Sequence, residues 1–140
     1  MKQSNDTFYQ ENISSRVSLR LVTADDLPFI YATWLKGLRY GNALYKQIDK
    51  TVYYSKYQLV IKALIGSGNV VVACLKSDPE TIVGYSVSNG DTLHWVYVKE
   101  SWRQLGVAKL VVPNSVYKVS HITDIGAKAM KKRYIFDPFL

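Results

Sequence analysis

The residues with the most chemistry to offer lie together, in Lys99-Glu100-Ser101-Trp102-Arg103-Gln104-Leu105-Gly106-Val107-Ala108-Lys109-Leu110. An apolar strand pattern, Trp95-Val96-Tyr97-Val98, leads into them and an amphipathic helical pattern follows. At such a junction the first helical turn leaves main-chain N–H groups unpaired, and the helix dipole adds partial positive charge. Gly106 lets the main chain come close to a bulky ligand, and small Ala108 keeps the next turn clear. Arg103, Lys99 and Lys109 supply formal charge around the loop. This pattern suits anion binding, and a diphosphate fits it. The plainer alternative is a glycine that serves only the geometry of a strand-to-helix turn.

Other elements must hold that loop in place. Residues 16–22, Arg-Val-Ser-Leu-Arg-Leu-Val, alternate with period two and predict a half-buried strand. Thr23 with Asp26 three positions on is a capping-box start, and Asp25 and Asp26 sit where the helix dipole favours negative charge. Leu27, Ile30, Tyr31, Trp34 and Leu35 recur at helical spacing, with Gly37 as terminator and residues 38–50 as a connection. A second helix is predicted over about 51–65, with Val52, Tyr53, Tyr57, Val60, Ile61 and Leu64 as its apolar stripe. Gly66-Ser67-Gly68 closes it. The run from Val70 to Leu75 predicts a strand covered on both faces. Strands over 81–88 and 92–98 follow, joined at Asn89-Gly90 by a type I′ hairpin. The order is strand, helix, helix and a three-strand antiparallel meander, which is no Rossmann pattern. Residues 1–15 read as a loose lead-in and residues 16–140 as one domain.

Composition narrows the function classes. A chain of 140 residues with 48% hydrophobic and 21% charged residues is globular rather than disordered. No apolar run reaches the roughly 18 residues of a membrane helix, and the polar N-terminus lacks a signal-peptide core. One cysteine, Cys74, makes no intrachain disulfide, and with two histidines it is a poor zinc set. A reducing, cytoplasmic compartment fits that usage, and Cys74 reads as inert core. The net charge of +7 favours an anionic partner without naming it.

Residues 93–112 resemble motif A of the GNAT superfamily of N-acetyltransferases, R/Q-x-x-G-x-G/A after an apolar strand, supplied here by Arg103-Gln104-Leu105-Gly106-Val107-Ala108. The element order matches over residues 16 to about 136. Ser120-His121-Ile122-Thr123 and Phe136-Asp137-Pro138-Phe139 are similar to small GNAT-like proteins of bacteriophages and prophages. The resemblance implies an α/β fold with a mixed, mostly antiparallel sheet of about six strands flanked by helices. In such a fold a splayed strand pair holds acetyl-CoA. It implies that Val96, Tyr97 and Val98 pair with pantetheine as an added strand would. It assigns the pyrophosphate to the amides of Arg103, Gln104, Leu105, Gly106, Val107 and Ala108, and the remaining phosphate to Lys99, Arg103 or Lys109. The next strand would run from about residue 117 to 122, with the acetyl thioester in the opening between the two.

Family members often carry a carboxylate base on the fourth strand, where this chain has Thr92. His94, two residues on and on the same strand face, or His121 replaces it as base. The family's tyrosine acid, in a segment resembling A-x-x-F-Y-x-x-x-G-F, matches Met130 in Ala127 to Phe136, with Tyr134 one helical turn along. Pro113 ends the motif helix early. The implied activity is acetyl transfer from acetyl-CoA to an amine of unknown identity. The alternatives are an inactive binding or assembly module of the same fold, and a nucleic-acid-contacting or nucleobase-modifying relative. For the last, Tyr53, Tyr54 and Tyr57 near Lys50, Lys56 and Lys62 form a basic aromatic face, against the plainer reading of a half-buried helix with solvated lysines. A second basic cluster is Lys128, Lys131, Lys132 and Arg133, which the C-terminal end of a helix dipole explains without a ligand.

Overall fold

The period-two stretch near the N-terminus forms β1 (Val17–Leu21) in a computed structural model that describes Ile13, residues 15–121 and residues 135–136. β1 lies at the edge of the sheet, so only Val17 of its apolar face is buried, and Leu19 and Leu21 stay exposed. The turn that follows is fixed by charge. The Arg20 guanidinium donates twice to the Asp26 carboxylate, at 2.7 and 2.8 Å, and the Thr23 N–H donates to it at 2.7 Å. The Arg20 hydrogen bonds hold the Asp26 carboxyl down to about 2. The expected Thr23–Asp26 start is present, but it opens a single 3₁₀ turn, Ala24–Asp26, that runs on into α1 (Leu27–Gly41).

Gly37 does not end α1. It sits mid-helix against the Trp95 ring, where a Cβ would meet Cζ2 at 3.0 Å, so the glycine serves close packing instead. The expected connection therefore shrinks to Asn42, a short α2 (Ala43–Lys46) and residues 47–49. α3 (Lys50–Ser67) follows, capped by the Asp49 carboxylate on the Val52 N–H at 3.1 Å. Its inner face carries Tyr53, Tyr57, Ile61 and Leu64, whereas Val52 and Val60 of the expected stripe are exposed.

β2 (Asn69–Leu75), β3 (Ile82–Asn89) and β4 (Thr92–Val98) form the predicted antiparallel meander. The hairpin register pairs Asn89 with Thr92, which puts Gly90 and Asp91 at the corner. Of those two only Gly90 has positive φ, +59°, so this is not the type I′ turn expected at Asn89-Gly90. Beyond β4 come a 3₁₀ turn (Glu100–Trp102), α4 (Val107–Val111), β5 (Lys118–Val119) and β6 (Ile135–Phe136). α4 stops two residues before Pro113, with Val112 extended.

The six strands lie in chain order. β1 to β4 pair antiparallel, and β4–β5 and β5–β6 pair parallel. The fold is thus mixed α/β with helices on both faces of the sheet. Under α1 and α3 the core is aromatic, with Trp34, Tyr53, Tyr85 and Trp95 among Ile30, Leu38, Ile61 and Val72. Under α4 it is small and aliphatic, with Ile13, Val17, Ala73, Val83, Val107 and Val111. The middle strands serve both cores, which is why β3 is buried from Ile82 to Ser88. Cys74 is a free, buried core thiol, as expected. Among the described residues no helix is long and apolar enough to cross a membrane, and no group of His, Cys, Asp and Glu is arranged to hold a metal ion.

Candidate functional site

β4 has two unlike edges. Toward β3 it is paired along its length, from Asn89–Thr92 to Gly84–Val98. Toward β5 it pairs only at Thr92–Lys118 and Leu93–Val119, with one further bond from the Ser120 N–H to the Leu93 carbonyl at 3.0 Å. From His94 onward that edge has no strand beside it among the described residues. Among the described residues the pairing of the two strands thus stops at Leu93, where the resemblance implies a splay.

A bulge stands where that pairing stops. Ser88 pairs with Leu93 and Val87 with Trp95, so His94 is the extra residue that β3 does not match. Packing records the resulting shift. Leu93 packs beside Val96 on the α4 side, while Trp95 and Tyr97 go to the aromatic side. The Lys99 N–H donates to the Val83 carbonyl at 2.8 Å, so by strand alternation Tyr97 turns its main chain to β3. Val96 and Val98 then turn theirs to the opening. Of the three residues expected to pair with a ligand, two face it. Tyr97 contributes a ring stacked on Tyr85 at 5.6 Å instead.

At the far end of β4 the loop makes its turn with two left-handed residues, Gln104 at φ 63° and Gly106 at φ 94°. The first is costly for a residue with a side chain and is the kind of strain that collects at functional sites. The second suits glycine, and nothing lies within 4 Å of the place its Cβ would occupy. Val107 anchors the loop in the aliphatic core, and Gln104, Gly106 and Ala108 are exposed. Among the described residues the N–H groups of Gln104, Leu105, Gly106, Val107 and Ala108 donate to no main-chain carbonyl, whereas the Arg103 N–H is taken by Glu100 at 3.3 Å. The Arg103 side chain ties the loop to β4 through Nε and the Val98 carbonyl at 2.9 Å, and Lys99 and Lys109 stand exposed nearby.

His94 and His121 are brought together by a residue that sequence reasoning passed over. The Ser120 hydroxyl lies 2.7 Å from His94 Nδ1 and 2.8 Å from His121 Nδ1. His94 and Ser120 are buried, and His121 is half-buried with its ring edge-on to Trp34 at 6.2 Å and Tyr57 at 6.0 Å. Burial lowers the His94 pKa, and burial together with neighbouring His94 pushes His121 down to about 4. Both rings are therefore neutral at pH 7, the form that accepts a proton. Thr92 is buried, and its hydroxyl donates to the Asp91 carboxylate at 2.9 Å, so no acid stands at that place. Ser120 could have been noticed as a hydroxyl next to a histidine on the strand expected beside His94.

The basic aromatic face divides. Tyr53 is buried in the core and its hydroxyl donates to the Leu35 carbonyl at 2.6 Å, while Lys50, Lys56 and Lys62 are exposed. Met130, Tyr134 and the cluster Lys128, Lys131, Lys132 and Arg133 lie outside the described residues.

No family model matches the sequence, and comparison with curated proteins finds no match either. Solved structures do match. One is histone acetyltransferase HPA2 and related acetyltransferase from Corynebacterium glutamicum, at 18% identity and TM-score 0.52, covering 67% of this chain and 66% of that one. Apo-form YjaB from Escherichia coli matches at 15% identity and TM-score 0.49, over 71% of this chain and 63% of that one. The putative acetyltransferase yncA from Salmonella typhimurium, solved with acetyl-CoA, matches at 16% identity and TM-score 0.41, over 68% and 58%. The matches thus span less than two thirds of these structures' own length. The chain shares the fold of the first of these structures, in line with the GNAT fold that the resemblance implies.

Proposed function

We propose that this protein is an N-acetyltransferase that moves an acetyl group from acetyl-CoA to an amine. The observation that carries this reading is one strand edge that has no partner strand among the described residues. It begins where β4 leaves β5, runs along the main chain of Val96 and the N–H of Val98, whose carbonyl Arg103 Nε takes, and ends at the bare N–H groups of residues 104–108. Its length and donor pattern suit a ligand with an amide-bearing arm and a diphosphate. The open space at Gly106 gives that diphosphate room.

When bound, acetyl-CoA supplies the activated acyl group. The protein's own residues do the rest. Val96 and Val98 hold the arm as a strand would. Residues 104–108 take the pyrophosphate on main-chain donors, and Lys99, Arg103 or Lys109 takes the remaining phosphate. His94 and His121, neutral and at the root of the opening, accept the proton that the attacking amine must lose. The acceptor is an amine, carried by a protein or by a small molecule.

Isothermal titration with acetyl-CoA tests the reading. Binding with one site per chain is expected, and no heat at millimolar ligand overturns it. Acetyl transfer to a panel of primary amines then separates an enzyme from a protein of this fold that binds CoA without reacting.

A further inference from the structure

We propose that Ser120 is the hydroxyl link of a proton relay that carries the amine's proton from His121 to His94, and from there to the departing thiolate. The proposal rests on the acetyl-transfer reading and adds to it a positioning residue and a direction of proton flow.

The geometry leaves the serine little freedom. Its side chain is fully buried, and the only hydrogen-bond partners of its Oγ among the described residues are the two Nδ1 atoms. Its main chain is pinned by the N–H bond to Leu93. A buried hydroxyl hydrogen left without an acceptor is costly, so it goes to one Nδ1, which must be unprotonated. The other Nδ1 must then carry a hydrogen and donate to Oγ. One serine thereby gives two neutral imidazoles opposite tautomers: one is protonated at Nδ1 and the other at Nε2.

That arrangement is a wire. His121 is the half-buried end, and His94 sits in the β4 bulge where the opening begins. As the N–C bond forms and the C–S bond breaks, the amine proton enters at His121 Nε2. The His121 Nδ1 hydrogen passes to Ser120 Oγ, the hydroxyl hydrogen passes to His94 Nδ1, and the His94 Nε2 hydrogen leaves to the thiolate sulfur. One proton has crossed, and no ring keeps a charge in this apolar setting, where an imidazolium is disfavoured. Exchange with water after the products leave restores the starting tautomers.

Long-range ¹⁵N–¹H spectra of the wild-type protein test the arrangement without any substrate. Two neutral histidines of opposite tautomer are expected at pH 7; two of the same tautomer overturn the proposal. Transfer kinetics test the role. With a lysine peptide or spermidine as acceptor, Ser120→Ala should lower kcat by about tenfold or more with an unchanged KM for acetyl-CoA. The wild-type rate should depend on the deuterium fraction of the water along a curve that shows several protons in flight, and Ser120→Ala should straighten it. A Ser120→Ala variant with wild-type kcat overturns the relay while acetyl transfer stands. A wild type that binds acetyl-CoA and transfers to no amine, despite opposite tautomers, instead overturns the acetyl-transfer reading.

Discussion

Along one edge β4 is joined to β3 from Thr92 to Val98, whereas along the other it meets β5 only at Thr92 and Leu93. The first edge belongs to a structure whose faces are covered and whose buried side-chain polar groups find partners, except the Trp34 and Trp95 indole N–H groups. The Tyr85 hydroxyl, for example, bonds both Thr33 Oγ1 at 2.7 Å and the Ile30 carbonyl at 3.1 Å. The second edge ends in a loop of unpaired donors with two left-handed residues. A strand that is closed on one side and open on the other separates two jobs. The closed side and its aromatic core supply stability, and the open side keeps main-chain hydrogen-bonding capacity in reserve for a ligand.

If that division is right, substitutions on the two sides should fail differently. The largest effect is expected on the closed side. Leu38→Ala removes a fully buried side chain from the aromatic core and should cost about 2–5 kcal/mol of unfolding free energy, read by urea denaturation. The fraction that remains folded should bind acetyl-CoA as the wild type does, and a matching loss of affinity would break the separation. On the open side, Gly106→Glu puts a carboxylate and a Cβ at φ 94°, where the diphosphate would sit. Titration calorimetry should show at least about a hundredfold loss of acetyl-CoA affinity, some 2.7 kcal/mol. The melting temperature should also fall, because a side chain at φ 94° costs about 1–3 kcal/mol even though no atom lies within 4 Å of the new Cβ.

The smallest effect sharpens the boundary between the sides, where the histidines are. His121 faces Trp34, Tyr57, Ser120 and His94, none of them acidic. Its pKa falls from 6.5 in the unfolded chain to about 4 in the folded one. Between those values the unfolded chain binds a proton that the folded chain refuses, so stability is full above pH 6.5 and is lost as pH falls toward 4. His121 should account for a loss on the order of 2 kcal/mol by urea unfolding between pH 7 and pH 4.5; His121→Gln should remove that part and leave the share that burial of His94 adds in the same window. Asp26, lowered from 3.8 to about 2, loses its contribution only as pH falls below about 4 and so adds little in this window.

Much of the closed side was legible in the sequence, because burial writes a local period. β4 begins and ends where its apolar run does, and α3 differs from its expected span by only one or two residues at either end. Gly37 was misread because a glycine that ends a helix and one that admits a neighbouring ring look alike until the neighbour is known. Leu19 and Leu21 show the same limit: alternation marks a strand, but only sheet order tells whether its apolar face meets a core. At the site, the strand–loop–glycine–helix pattern gave the loop. The bulge at His94 leaves no mark within Thr-Leu-His-Trp-Val-Tyr-Val, since both faces of β4 accept apolar residues. Ser120 carried only a faint signal, the histidine beside it, for a different reason. Its meaning depends on a contact with a residue 26 positions away, and serine is too common a strand-end residue to point there.

Counting by twos along β4 falls out of step at position 94, and the whole far half of the strand inherits the offset. Taking out one residue between Leu93 and Trp95 would put the count back in step. With the hairpin fixed, Trp95 would still meet Val87 and Tyr97 would still meet Tyr85, so both rings would keep their place beneath α1 and α3. A single-codon deletion there would therefore spare the strand's inside and outside and cost only the bulge and its imidazole, so the extra residue serves the histidine rather than the core.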